Sequence, residues 1–185
     1  MIRRHWFLLL LLLLVLLLAS TKSGWLHLPK KALQSQPGFY HVSHFVDGDT
    51  IAVNMNGHEE KVRFIGVDTP ETHKPNTPVQ CYGPQAAAFT KATIGARPVR
   101  LVSDPLTTDR DRYDRLLRYI YLPDGSELNQ TLVEQGYGFY YPYFPFSQAD
   151  SFHTAEQRAM AAHKGLWNSC QPTPTDSSGF VSNPT

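Results

Sequence analysis

The sequence predicts an α+β fold, a small five-stranded Greek-key β-barrel of the OB type with three helices. Strand-like runs crowd the early part of the chain, joined by turns short enough for a meander. Further on, helix-like runs alternate with two more strand-like ones, as in a barrel whose connections carry helices. No internal repeat is present.

Residues 1–19 stand outside this fold. Met1-Ile2-Arg3-Arg4-His5 is a short basic start, and Trp6 to Ala19 is an unbroken apolar run of 14 residues. A spanning helix needs ~18–20 such residues, so the run fits a signal peptide better than a membrane span. Ala19-Ser20-Thr21 offers small residues for cleavage without an Ala-x-Ala, which leaves an uncleaved N-terminal anchor open. In both cases the globular part is exported. Residues 20–37 mix lysine, serine and glutamine without a period and read as a linker.

The domain proper is expected over 38–170. Residues 39–46 alternate well enough for a first strand, Asp47-Gly48-Asp49 reads as a turn, and 50–55 as the second strand. Asn56-Gly57 is a strong two-residue hairpin signal and leads into a third strand. That strand is expected to run through Phe64-Ile65-Gly66-Val67 and stop at Asp68-Thr69-Pro70, since proline removes a ladder donor. A proline near the first turn and four alanines predict a helix over 83–92. Residues 97–102 and 118–122 predict the fourth and fifth strands, the latter closed by an Asp124-Gly125 turn. Helices are expected over 128–135, stopped by Gly136, and over 147–163, with Ser147 near its N-cap. The Pro- and Ser-rich stretch 171–185 reads as a disordered tail.

Composition bounds the function. Removing the leader leaves 166 residues, a single domain's worth. Without Arg3 and Arg4 the 17 Lys+Arg become 15 against 16 Asp+Glu, so no global basic field grips nucleic acid. An anionic substrate must be held by a local cluster. The two cysteines, Cys81 and Cys170, are distant in sequence, and export permits them to pair. A disulfide there ties the first helix to the last segment, restricting the unfolded chain by ~4–5 kcal/mol on the loop-entropy account.

Three stretches carry chemistry. The strand from Lys61 delivers Arg63, and the loop past it delivers Asp68 and Glu71. Asp47-Gly48-Asp49-Thr50 sits at a hairpin tip that a meander can bring to the same end of the sheet. Carboxylates gathered there, with no histidine or thiolate in either motif, suit a hard cation such as Ca²⁺. Asp111-Arg112-Tyr113-Asp114-Arg115 precedes the fifth strand, so the base of Arg115 is held. Arg63 and Arg115 together can clamp a phosphate by forked hydrogen bonds. A metal, a carboxylate that steers water and two guanidiniums are the parts needed to hydrolyse a phosphodiester.

Val46-Asp47-Gly48-Asp49-Thr50, Val62-Arg63 through Glu71-Thr72, Arg112-Tyr113-Asp114-Arg115 and Gly165-Leu166-Trp167 occur in the order found in the staphylococcal nuclease (thermonuclease) family, which residues 38–168 resemble. The resemblance implies an OB-fold, Ca²⁺-dependent endonuclease acting on DNA and RNA, preferably single-stranded, and leaving 3′-phosphates. On that resemblance Asp49 and Asp68 are carboxylate metal ligands, Thr69 supplies a backbone carbonyl and Asp47 is an outer-shell acid. Arg63 and Arg115 clamp the phosphate, and Glu71 directs the water. Arg112 and Tyr113 match substrate contacts of the arginine loop. Tyr141 and Tyr143 match, with a one-residue shift, the family's pair of substrate-stacking tyrosines. Base stacking on such rings is worth ~1–3 kcal/mol per base.

Two departures are visible. Asp114 stands where the family usually has glycine, and the aromatic segment 137–146 is richer than the family needs. His73 and His153 read as surface residues rather than ligands. The alternative function is an OB-fold nucleic-acid-binding module at the cell surface with its catalysis lost. Retention of Arg63, Glu71, Arg115 and the acidic cluster argues against it. No obligate protein partner is implied, and a monomer is expected.

Overall fold

The computed structural model describes residues 38–73, 77–175 and 179–184. The leader and linker readings over 1–37 lie outside these. The described strands that build the main sheet are β1 (Phe39–Tyr40), β2 (Val42–Asp47), β3 (Thr50–Met55), β4 (His58–Phe64), β6 (Val99–Val102) and β7 (Leu116–Tyr121). A short β5 (Val67–Asp68) pairs with β8 (Phe139–Tyr140).

The sheet order is β1-β6-β7-β4-β3-β2, with β4 and β7 parallel and the other pairs antiparallel. Its two edges are consecutive in sequence, since only His41 separates β1 from β2. β1 pairs with β6 at one edge and β2 with β3 at the other, so a single kinked strand closes the sheet on itself. The predicted first strand is therefore split in two, and the five-stranded OB-type barrel is realised with one strand shared between both edges. Closure removes the exposed edges that an open sheet would leave.

Local sequence accounts for most boundaries. Asn56 and Gly57 both have positive φ, 55° and 89°, as the type I′ hairpin between β3 and β4 requires. The third strand does not run on to Asp68. It ends at Phe64, because Gly66 turns the chain at φ 76°, where an added Cβ would stand 2.8 Å from the Phe146 ring. The amides released there are still used: Phe64 N–H donates to the Asp49 carbonyl at 2.9 Å and Ile65 N–H to that of Arg118 at 3.1 Å.

Four described helices follow: α1 (Gly83–Ile94), α2 (Leu128–Glu134), α3 (Ala149–Ala161) and a single turn, α4 (Leu166–Ser169), which the sequence did not predict. Ser147 does not cap α3; its hydroxyl donates to Asp104, whose carboxylate also accepts from the Tyr119 hydroxyl at 2.7 Å and the Leu106 amide at 2.8 Å. A local cap has been exchanged for a long-range tie between two loops. The barrel is filled by Ile51, Val53, Val62, Phe64, Leu101, Leu116 and Ile120, and continues into Leu132, Val133 and Phe152 of α2 and α3. Asn129 is fully buried in α2, where it donates to the carbonyls of Ile65 and Arg118 and accepts from Ile120 N–H.

Within the stretch read as a disordered tail, two short described segments pair. β9 (Thr173–Pro174) and β10 (Phe180–Val181) pair antiparallel, and Ser182 is buried. Phe180 packs 5.0 Å from the Trp167 ring and 6.1 Å from Phe139. Three apolar rings shielding one another outweigh the polar composition that suggested disorder. The disulfide between Cys81 and Cys170 is formed, with Cα atoms 6.0 Å apart, and joins the start of α1 to the root of this tail.

Glu156 in α3 is 4% exposed and accepts from Tyr140 N–H at 2.9 Å. Burial pushes its carboxyl up to about 7, against an ordinary value of 4.5. The fold holds a proton that the unfolded chain releases earlier. Its stabilisation is therefore complete below pH 4.5 and is lost as pH rises through about 7, by roughly 3 kcal/mol. Glu156→Gln keeps the acceptor and removes the charge. It is expected to raise the melting temperature by several degrees at pH 8 and to leave it unchanged at pH 5. Parallel thermal melts at the two pH values test this.

Candidate active site

The β2–β3 turn and the chain beyond β4 meet through Asp49. Its Oδ2 accepts from Thr69 N–H at 2.7 Å and from the Thr69 hydroxyl at 3.0 Å, while its Oδ1 accepts from the Thr50 hydroxyl at 2.9 Å. The turn itself is pinned by α1, where the Thr90 hydroxyl donates to the Gly48 carbonyl at 2.5 Å. Gly48 is required by crowding: a Cβ there would lie 2.8 Å from the Thr69 hydroxyl and 3.0 Å from Ala86. The sequence expectation that the two acidic motifs share one end of the sheet is met.

Arg63 is the hub of this end and is 7% exposed. Nη1 donates to the Val67 carbonyl at 2.7 Å and lies 3.0 Å from Asp49; Nη2 reaches Asp68 at 2.6 Å. Burial alone would push its pKa down, but Asp49 and Asp68 more than offset that, so the guanidinium stays charged. The ring of Tyr141 lies 5.6 Å from it. Sequence reasoning assigned Arg63 to the phosphate without foreseeing that it also bridges both proposed metal ligands. Only the β5 turn, which brings Asp68 back towards Asp49, creates that bridge.

On the facing side, Arg115 is held by a residue the sequence reading left unassigned. Asp111, four positions earlier and with a side chain 3% exposed, accepts from Arg115 Nε and Nη2, each at 2.7 Å. Burial would raise the Asp111 carboxyl, yet the hydrogen bonds from Arg115 prevail and hold it below the usual range. Tyr113 is 64% exposed, with the guanidinium carbons of Arg112 and Arg115 at 4.8 and 5.3 Å from its ring centre. The aspartate repeat in Asp111-Arg112-Tyr113-Asp114-Arg115 was the available signal for this clamp.

Asp114 takes φ 64°, the left-handed conformation that glycine adopts freely. The loop thus keeps a glycine-like backbone, and the added carboxylate turns outward to within 3.6 Å of Arg110 Nε. Asp114→Gly is expected to stabilise the protein by ~0.5–1 kcal/mol, because the strained φ is relieved and only an exposed ion pair is lost. A shift in urea midpoint measures it.

These groups line one open cleft of about 910 Å³: Asp47, Asp49, Asp68, Arg63, Glu71, Arg112, Tyr113, Arg115, Tyr141 and Tyr143, joined by Lys61, His73, Asp111 and Phe144. Thr69 lies buried beneath Asp49. His73 is exposed, as expected, but faces this cleft, and its Nδ1 is 2.6 Å from the Thr72 hydroxyl, which donates to Asp47. Tyr141 and Tyr143 stack on each other, centroids 5.6 Å apart at 17°, and so offer a joint platform rather than two separate rings.

The acids fit a cation by their chemistry. Burial first, and then the charge of Asp49, push the Asp47 carboxyl up. Among the described residues no three His, Cys, Asp or Glu side chains form a ready metal cluster. Asp49 and Asp68 are carboxylates of this cleft that could hold a cation together with water or substrate oxygens.

Comparison with known proteins shows the family. The family described as staphylococcal nuclease homologue matches residues 61–169. The chain is 41% identical to the thermonuclease of Staphylococcus hyicus over 133 residues, 70% of this chain and 75% of that protein. It is 47% identical to the thermonuclease of Staphylococcus intermedius over 97 residues, 52% of this chain and 56% of that one. With endonuclease YncB of Bacillus subtilis it shares 38% identity over 140 residues, 75% and 62% of the two chains. The chain belongs to the staphylococcal nuclease family.

Proposed function

We propose that this protein is an exported, Ca²⁺-dependent endonuclease that hydrolyses phosphodiester bonds of DNA and RNA, preferring single strands and leaving 3′-phosphates. The observation that carries the reading is convergence: two acids, a third carboxylate and two arginines from three separate stretches of chain line one cleft. Kinship with thermonucleases and an endonuclease supports the nuclease class. The oxygen donor set supports a hard cation, held by Asp49, Asp68 and the Thr69 carbonyl, with Asp47 behind them. Such an ion, when bound, supplies positive charge against the phosphoryl oxygens.

The chain's own residues supply the rest. Glu71, half-buried at the cleft wall, orients a water and accepts its proton as the oxygen attacks phosphorus. The bond from phosphorus to the 5′-oxygen breaks, giving a 3′-phosphate and a 5′-hydroxyl. Arg63 and Arg115 meet the charge that builds on the phosphoryl oxygens, and being held by carboxylates beforehand they need little reorganisation. Tyr113 and the Tyr141–Tyr143 platform offer faces for unpaired bases, which a duplex would keep stacked away.

Metal dependence tests the proposal. Single-stranded DNA and RNA are expected to be cut in Ca²⁺, and cleavage to stop with chelator and return on adding Ca²⁺. Equal cleavage in chelator would overturn the metal assignment. No cleavage under any of Ca²⁺, Mg²⁺ and Mn²⁺ would favour the binding-module alternative.

A further inference from the structure

The family match ends at residue 169, yet the chain continues and returns to the site. Pro184 bridges to Gln80, Cys81 N–H donates to the Asn183 carbonyl at 2.8 Å, and the Ser182 hydroxyl donates to the Cys81 carbonyl at 2.8 Å. Gln80 in turn grips Glu71 from both sides of its peptide. The Gln80 amide donates to the Glu71 carbonyl at 2.9 Å, and the Glu71 amide donates to Gln80 Oε1 at 2.8 Å. Gln80 thereby ties the backbone of Glu71 on both sides.

A second arm of the tail reaches the metal side. Phe180 packs on Phe139, which is 2% exposed and pairs in register with Asp68. Trp167 completes the cluster, its ring 5.4 Å from Phe139 and 5.0 Å from Phe180. The tail is itself anchored: by the disulfide at its root, by Asn183 donating to the Gln171 carbonyl, and by the Thr173 hydroxyl donating to Asn183 at 3.0 Å. One covalently tied hairpin therefore touches the backbone supports of both Glu71 and Asp68.

We infer that Gln80 and the C-terminal hairpin are positioning elements of the active site: Gln80 sets the Glu71 carboxylate through its peptide, and Phe180 seats the strand that pairs with Asp68. A displacement on the order of 1 Å at such a group costs up to ~100-fold in rate, so a brace of this kind acts on kcat. The inference rests on the reading of Glu71 as the water-directing carboxylate.

The test uses the full chain with Gln80→Met, which keeps the side chain's size and loses its acceptor, and Gln80→Glu, which keeps the acceptor. Gln80→Met is expected to lower kcat by roughly 10- to 100-fold with KM within about two-fold, and Gln80→Glu to restore most of it. Hydrogen exchange at the Glu71 amide should quicken at least roughly ten-fold in Gln80→Met and return in Gln80→Glu, because that amide loses the Gln80 Oε1 acceptor in the first variant and keeps a side-chain oxygen there in the second. Phe180→Ala is expected to lower kcat in the same sense, again with KM held. Wild-type kcat in Gln80→Met, or equal losses in the Met and Glu variants, would overturn the role of Gln80. Wild-type kcat in Phe180→Ala would overturn that of the hairpin. Glu71→Ser, run alongside, separates the two readings: full activity there would instead remove Glu71 from the mechanism, whereas amide exchange reports the brace independently of catalysis.

Discussion

Glu71→Ser is expected to lower kcat by ~10²–10⁴-fold while KM for single-stranded DNA stays within a few-fold. The carboxylate acts on the water, and the phosphate and bases are gripped by other groups, so removing it leaves the substrate's handholds in place. Arg63, Arg115, Tyr113 and the Tyr141–Tyr143 pair also line the cleft. Stability should change little, since the Glu71 backbone remains held by Gln80 whichever side chain it bears. Steady-state kinetics with a chemical-denaturation control check both halves. A variant with normal kcat would show that the water is activated elsewhere.

Arg63→Ala is expected to do both kinds of damage. It removes a donor aimed at the developing charge, worth ~10²–10³-fold in kcat. It also strips the shared partner from Asp68 and from buried Asp49, and the uncompensated Asp49 charge costs ~3–5 kcal/mol in stability. Asp49 is 6% exposed and its remaining partners, Thr50 and Thr69, are neutral donors that do not balance a charge. Arg63→Lys should recover part of the stability and little of the rate. An ammonium is a point charge and cannot span Val67, Asp49 and Asp68 with fixed forked geometry. Urea midpoints and kcat, measured on both variants, decide it; unchanged stability in Arg63→Ala would mean that the two acids are not held by this residue.

Much of the site was legible because its residues lie in short motifs whose spacing backbone geometry controls. Asp49 is the second residue of a two-residue turn, and Asn56-Gly57 can make only a narrow class of hairpin, so the register of β3 on β4 and the place of Arg63 follow from local rules. Asp68, Thr69 and Glu71 are close in sequence and cannot stray far. Less legible was what each charge would bond to. Arg63 could be foreseen as a phosphate ligand, but its bridge between Asp49 and Asp68 depends on a turn at Gly66 that alternation alone did not reveal. Asp111 was visible as part of a charged loop, and only folding showed that it fixes Arg115. His73 was rightly placed at the surface, yet the surface it occupies is the cleft wall.

By itself, the sequence determined the run of strands, the principal helices and the set of charged groups that meet, and it permitted the two cysteines to pair. Those follow from periodicity, turn chemistry and the small number of partners available, all of which act over a few residues or by elimination. The tertiary structure alone decided how the barrel closes, with one strand kinked at His41 to serve both edges, and whether the tail orders. Composition marked 171–185 as unable to fold, and within that segment alone it is right, since a lone Phe180 has nothing to bury against. Phe139 and Trp167 supply the missing surface from 13 to 41 residues away in sequence, and the Cys81–Cys170 bridge holds the tail where they can. Burial is a property of surfaces that meet in space, and that meeting converts a polar tail into the support behind Glu71 and Asp68.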